Sequence, residues 1–352
     1  VADAVERVPA EPYFPLVGAL VAQAGSEESP LPWVARALER APGSGRAHLL
    51  LADILASRGA VGQALFELRL AQEADASLFD AASGAALRWA RSYDELLPAI
   101  PAGRAGGAFL DAAGSRLSRT TPAERRAFGE QCDRAALERD PSRPLPRQRL
   151  ALAMLAALEG DPSSTSCPNR ASCEEQVERH AEVLAQSRAD VSISVQLRAR
   201  LLVVRGNVEA ADALLAEGCD GVRDRVECLQ LRLRIASLRP DDTRLSAVEK
   251  ELRAAACLES HRCAEVHAMM ADVRAGRRDH KGALAHLERA AEAEPTEPRV
   301  LRAAEAAVVA GEHARAATLF ERVLARRGGR DAALEARIAT EKGRLIERLV
   351  QP

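Results

Sequence analysis

Residues 45–78 read GRAHLLLADILASRGAVGQALFELRLAQEADASL, and their spacing decides the fold. Leu51, Ala52 and Leu55 fall on one face of a first helix and Gly59 marks a turn. Ala64, Leu68 and Ala71 then follow at spacings of four and three on a second helix. Apolar positions recurring at three and four build an amphipathic helix rather than a strand. Shifted back by 34 residues, the same order returns over 11–44 as Val17, Gly18, Val21, Gly25, Val34, Ala37 and Pro42. Small side chains recur where two helices cross closely, and Gly recurs where the chain turns.

The pattern reappears toward the C-terminus. Met270, Ala271, Ala283, Leu287, Ala290 and Pro295 mark a unit over 264–296, and Ala303, Ala304, Ala307, Gly311, Ala316, Phe320 and Val323 mark another over 297–330. A central unit over 192–225 uses Arg198, Ala199, Leu202, Gly206, Ala211 and Leu215. Between these lie divergent units. Over 79–108, Pro98 and Pro101 cut the second helix short, because proline removes a donor and clashes with the preceding turn. Residues 109–142 form a further divergent pair, and 145–191 carry an insertion, 161–173, between their two helices.

Composition agrees with close-packed helices. Of 352 residues, 47% are hydrophobic and only 3% aromatic, whereas strands favour β-branched and aromatic side chains. With 49 basic and 51 acidic residues, no charge imbalance invites nucleic acid or an anionic membrane surface. No apolar run reaches the roughly 20 residues that span a bilayer. The chain begins at Val1 without Met, so a longer protein or a processed chain is expected, with membrane attachment only through a segment outside this sequence.

These units resemble the tetratricopeptide repeat, a helix-turn-helix of about 34 residues with small residues in both helices and often Pro at its end. The resemblance implies an all-α fold: a single α-solenoid over 1–352, a right-handed superhelix of about nine helix-turn-helix repeats with 331–349 as a capping helix. Regular repeats occupy 11–78, divergent ones 79–191, and further repeats 192–330. It also implies a protein or peptide partner lying along first helices that line a concave face. At outward first-helix positions stand Asp53, Arg200, Asp272 and Glu305, with Arg46, Leu49, Gln196, Ala268 and Leu301 as neighbours. Chaperone-binding members clamp a terminal carboxylate with a Lys/Asn cluster. Here those positions hold Pro15, Ala19, Leu49 and Asp53, which disfavours that function.

The seven cysteines sharpen the expectation. Six form close pairs, Cys167/Cys173, Cys219/Cys228 and Cys257/Cys263, leaving Cys132 at an inward helix position as a buried thiol. Cys219 and Cys257 each fall where a second helix ends, and Cys228 and Cys263 where the next first helix starts. Disulfides there would fix one helical pair against the next and place the chain in an oxidising compartment, periplasmic or extracytoplasmic. Cytoplasmic residence with reduced thiols is the other reading. The stretch CLESHRCAEVH (257–267) also offers Cys257, His261, Cys263 and His267 as a metal-ligand set, but the 219/228 pair has no nearby His.

Motifs of catalysis are missing. GRAGGAF (103–109) lacks the spacing and the preceding strand of a phosphate loop, and Gly43-Ser44-Gly45 is a helix-to-helix turn rather than a nucleophile elbow. No catalytic residue and no cofactor is expected. Nucleic-acid recognition, which needs a basic face and stacking aromatics, is also disfavoured. The expected function is a noncatalytic interaction scaffold of a bacterial envelope protein. The segment EPYFPLVGALVA (11–22) with the repeats after it resembles solenoids attached to O-antigen ligase or polymerase-type membrane proteins, which would tie the scaffold to surface-polysaccharide assembly. Competing readings are a domain of a transmembrane signalling kinase and a metal-binding protein using 257–267.

Overall fold

The computed structural model describes residues 2–8, 10–25, 28–120, 123–160, 169–187, 189–220 and 225–350. Among them the chain is all-α, with no strand. Its contacts group into two compact units, Val1–Leu184 and Ala185–Pro352. Unit 1 holds α1 (Ala2–Arg7), α2 (Tyr13–Gln23), α3 (Leu31–Arg40), α4 (Gly45–Ser57), α5 (Val61–Ala74), α6 (Phe79–Trp89), α7 (Tyr93–Leu96), α8 (Gly103–Leu117), α9 (Ala123–Arg139), α10 (Pro144–Leu158) and α11 (Arg170–Ala185). Unit 2 holds α12 (Val191–Val204), α13 (Val208–Gly218), α14 (Arg225–Ser237), α15 (Asp242–Ala256), α16 (Ser260–Gly276), α17 (His280–Ala293), α18 (Glu297–Val309), α19 (His313–Arg326) and α20 (Ala332–Val350). Helix-turn-helix pairs recur as α2–α3, α4–α5, α8–α9, α12–α13, α14–α15, α16–α17 and α18–α19, and α20 closes the series as the expected cap by burying Leu334 and Ile338.

The α4–α5 pair shows how sequence dictates the unit. Ser44 caps α4 by accepting from the Ala47 N–H, which satisfies a donor with no partner inside the helix. Gly45 is required because a Cβ there would lie 2.8 Å from the Ala71 carbonyl of α5. Ala52, Ala64, Leu68 and Ala71 are fully buried between the helices.

At the turn, Gly59 takes φ +83°, a conformation that glycine adopts without Cβ strain. The Ala60 N–H then reaches back to the Leu55 carbonyl at 2.9 Å, the six-to-one bond of a Schellman stop. The same bond closes the α12 turn at Gly206 (Asn207 to Leu202, 2.8 Å) and the α18 turn at Gly311 (Glu312 to Ala307, 2.8 Å). At the α16 turn the bond recurs from Asp279 to Arg274, yet the left-handed residue is Arg278 at φ 63°.

Several boundaries differ from the sequence expectation. A break at 108/109 would fall inside α8, which starts at Gly103, two residues after Pro101. The helix α16 starts at Ser260 rather than 264. The insertion expected over 161–173 ends sooner, since α11 begins at Arg170; residues 161–168 lie outside the described residues. As Pro98 and Pro101 predict, α7 is one turn long and gives way to a 3-10 turn, Leu97–Ala99. Leu96, Ala99 and Ile100 nevertheless fill the core beside α5 and α8.

A recurring device not anticipated from sequence joins neighbouring pairs. Among the described residues an acid on a second helix grips an arginine on the next first helix at three places: Asp133 (α9) with Arg149 (α10) at 2.5 Å, Asp212 (α13) with Arg232 (α14) at 3.0 Å, and Glu249 (α15) with Arg274 (α16) at 2.6 Å. All three acids are buried, so each arginine supplies the partner that a buried carboxylate needs. Gly114 makes room for the first of these pairs, since a Cβ there would lie 2.1 Å from Asp133 Oδ1. Burial pushes the Asp133 carboxyl up to about 6 against the pull of Arg149.

Candidate functional site

In unit 2 the first helices α14, α16 and α18 border an open groove of about 750 Å³. The central helix α16 supplies a floor of small and apolar side chains, Ala268, Met269, Val273 and Gly276. Three arginines stand around it: Arg234 from the last turn of α14, Arg277 at the end of α16 and Arg299 from the first turn of α18. Arg277 pairs with Asp242 at 2.9 Å and Arg299 with Glu294 at 2.8 Å. Arg234 is exposed and has no ion pair among the described residues. Glu265 and Asp272 bring the acidic groups, with Glu265 on His261 at 3.1 Å and Asp272 on Arg302. A smaller recess of about 240 Å³ adjoins, sharing Asp272 and adding Glu305, Arg302 and Leu287.

The expected groove residues distribute unevenly over this geometry. Ala268 and Asp272 line the larger groove, and Asp272 and Glu305 both line the smaller recess. Leu301 is half-buried and packs against the core. Gln196 and Arg200 sit half-buried on α12 and line neither recess. Arg46, Leu49 and Asp53 belong to unit 1 on α4, where Leu49 packs against the core and partial burial raises the Asp53 carboxyl pKa against the pull of Arg88. Pro15 and Ala19 are buried, so they offer nothing to a carboxylate clamp.

The arginines that give the groove its character were not anticipated. Arg234 sits on α14, whose sequence RVECLQLRLRIAS lacks the small-residue pattern of the other first helices. Arg232, two positions earlier, turns inward to Asp212. Telling the two apart requires the neighbouring helix.

The cysteines occupy helix junctions. Cys219 caps the end of α13 and is bonded to Cys228 in the first turn of α14. Cys257 caps the end of α15 and is bonded to Cys263 in the first turn of α16. Cys173 is also disulfide-bonded; Cys167 lies outside the described residues. Cys132 is a free, fully buried thiol whose pKa burial pushes up to about 12, which leaves it unreactive.

The four-residue metal set read from 257–267 is not brought together. One ligating atom each of Cys257, Cys263 and His267 lie within 4.8 Å of one another. His261 instead turns outward to Glu294 at 2.8 Å and Glu265 at 3.1 Å. The bond to Glu294 raises its pKa. His267 is buried on α16 with its Nδ1 3.0 Å from Nδ1 of His286 on α17. Burial pushes His267 down to about 4, and burial likewise lowers His286, so both rings are neutral at neutral pH.

No family model matches the chain. No curated protein sequence matches it either. Among solved structures, a human IFIT1 dimer with PPP-AAAA is 16% identical, over 80% of this chain and 68% of its own, with a TM-score of 0.34. The P58(IPK) TPR domain is 12% identical over 97% and 99% (TM-score 0.26), and yeast Tom70 is 11% identical over 97% and 90% (TM-score 0.32). Likenesses this remote leave partner and site to be read from the chain's own helices.

Proposed function

We propose that this chain is a noncatalytic interaction scaffold whose α14/α16/α18 groove holds an extended peptide segment bearing carboxylates. The observation that carries the reading is Arg234, a cation without an ion pair among the described residues, set over an apolar floor with Arg277 and Arg299 nearby. Backbone and small side chains of a partner would lie on Ala268, Val273 and Gly276, while its Asp or Glu side chains would meet the guanidinium groups, the residue type best suited to carboxylate recognition. The disulfide-bonded junctions favour an oxidising compartment and hence an extracytoplasmic role in a bacterial envelope protein. A link to surface-polysaccharide assembly rests on the resemblance of residues 11–22 alone.

Selection from a displayed random-peptide library tests the reading. Wild-type protein should enrich peptides with two or more acidic residues among small apolar ones. Arg234→Glu should lose that enrichment and weaken the selected peptides at least tenfold, about 1.4 kcal/mol. Enrichment of basic peptides, or equal binding by Arg234→Glu, would overturn it.

A further inference from the structure

We propose that reduction converts the Cys257–Cys263 disulfide into a metal site in which both thiolates and the His267 imidazole bind one zinc ion. The inference is independent of the groove. Three observations carry it. First, a ring nitrogen of His267 lies within 4.8 Å of both sulfurs of the Cys257–Cys263 disulfide, so freeing the sulfurs from each other leaves three ligands within reach of one tetrahedral zinc, where sulfur lies about 2.3 Å and nitrogen about 2.0 Å from the ion. Second, His267 is already held as a ligand would be. Its Nδ1 meets Nδ1 of His286 at 3.0 Å, the far nitrogen of His286 lies 3.7 Å from Glu249, and Arg274 fixes Glu249 at 2.6 Å. In the proposed site His267 donates its Nδ1–H to Nδ1 of His286 and binds the ion through Nε2. A partner on the far ring nitrogen orients a ligating imidazole.

Third, the two described disulfides differ in access. Cys219 and Cys228 are 2% and 0% exposed, whereas Cys257 and Cys263 are half-buried and flank Leu258, which is 89% exposed. By residue exposure the second bond is the more open to an attacking thiolate.

The chemistry balances with a dithiol reductant. Two thiols of the reductant become its disulfide while the Cys257–Cys263 bond takes up two electrons and two protons, giving two thiols. Zinc then displaces those two protons as it forms two thiolate bonds, and the lone pair of His267 supplies the third. The fourth position of the tetrahedron is left for water or a substrate atom, the arrangement of a site with an open position.

The test uses the full chain, reduced with a phosphine under nitrogen and titrated with Co²⁺, then competed with Zn²⁺. One Co²⁺ should bind with thiolate charge-transfer absorption, and zinc should displace it. The oxidised protein should bind none. Cys257→Ser and Cys263→Ser should each remove the charge-transfer band or halve it. His267→Ala should weaken binding at least about 100-fold, and His286→Ala, which removes the orienting partner, about 10- to 100-fold. His261→Ala should leave affinity unchanged, which separates this site from the contiguous four-residue set. Helicity by circular dichroism controls for folding, and the Co²⁺ spectrum of the unmutated reduced protein stands without any variant. No charge-transfer band in that protein, undiminished binding by His267→Ala, or equal binding by the oxidised form overturns the proposal.

Discussion

The buried acid–arginine pairs that join successive helical hairpins set a measurable stability, and Asp212→Ala is the perturbation that exposes it. The Asp212 side chain is fully buried, and its two oxygens hold Arg232 at 3.0 Å and Arg244. Removing the carboxylate affects the two arginines differently. Arg244 is 39% exposed and turns to water at little cost. Arg232 is only 11% exposed and keeps one partner, Glu251 at 2.7 Å, but its Nε–H loses its acceptor. Breaking a buried pair costs about 3–5 kcal/mol; with one partner retained and one arginine released, the lower end applies, about 3 kcal/mol.

For a unit of this size that corresponds to a fall of about 6–12 °C in Tm. Trp33 and Trp89, the two tryptophans, both lie in unit 1, so a probe inside unit 2 is needed. Amide exchange over α13–α15 reads it. The double variant Asp212→Leu/Arg232→Met should recover to within about 1 kcal/mol of wild type, since a packed apolar pair replaces the ionic one without leaving a buried charge. A loss below about 1 kcal/mol for the single variant, or a double variant no better than the single, would refute the reasoning.

Three further outcomes are expected. Gly114→Ala drives a methyl group into Asp133, which must leave Arg149, and tryptophan-monitored urea unfolding should report a loss of about 3 kcal/mol in unit 1. Arg278→Gly relieves the left-handed backbone that glycine occupies at Gly59, Gly206 and Gly311, and should stabilise unit 2 by about 1 kcal/mol on thermal melting. The pH dependence follows from His267, whose folded value near 4 lies below its unfolded value of about 6.5. As pH falls through 6.5 the unfolded chain takes up the proton first, so unit 2 loses stability between pH 6.5 and 4, at up to about 1.4 kcal/mol per pH unit. His267→Gln should reduce that slope in exchange measurements across the interval.

Why the hairpins were readable in the sequence and the groove was not has a physical cause. Close helix crossings demand small residues and turns demand left-handed glycine, so Ala52, Gly59, Ala64 and Ala71 declare themselves locally. At the end of α16 the glycine signal is missing, because Arg278 stands in the left-handed position. Boundaries shifted at α8 and α16, because a helix start depends on caps and prolines as much as on the apolar period. Cysteine positions at helix ends were legible for the same local reason. The pairing of Asp133, Asp212 and Glu249 with arginines many residues away depends on how hairpins stack, as does the division of labour between Arg232, turned inward, and Arg234, turned to the groove. His261 and His267 look equivalent in CLESHRCAEVH, yet one faces solvent and Glu294 while the other meets His286 from the next helix.

The groove itself is tested most directly by a photoreactive side chain in place of Met269, with Lys250 on α15 as the control position outside the groove. Irradiated with an acidic peptide from the library selection, the position 269 variant should form a cross-link that excess unlabelled peptide suppresses and that Arg234→Glu abolishes, while the position 250 variant should form none. Equal cross-linking at both positions, or cross-linking at 250 alone, would contradict a peptide-binding groove on the first helices of unit 2.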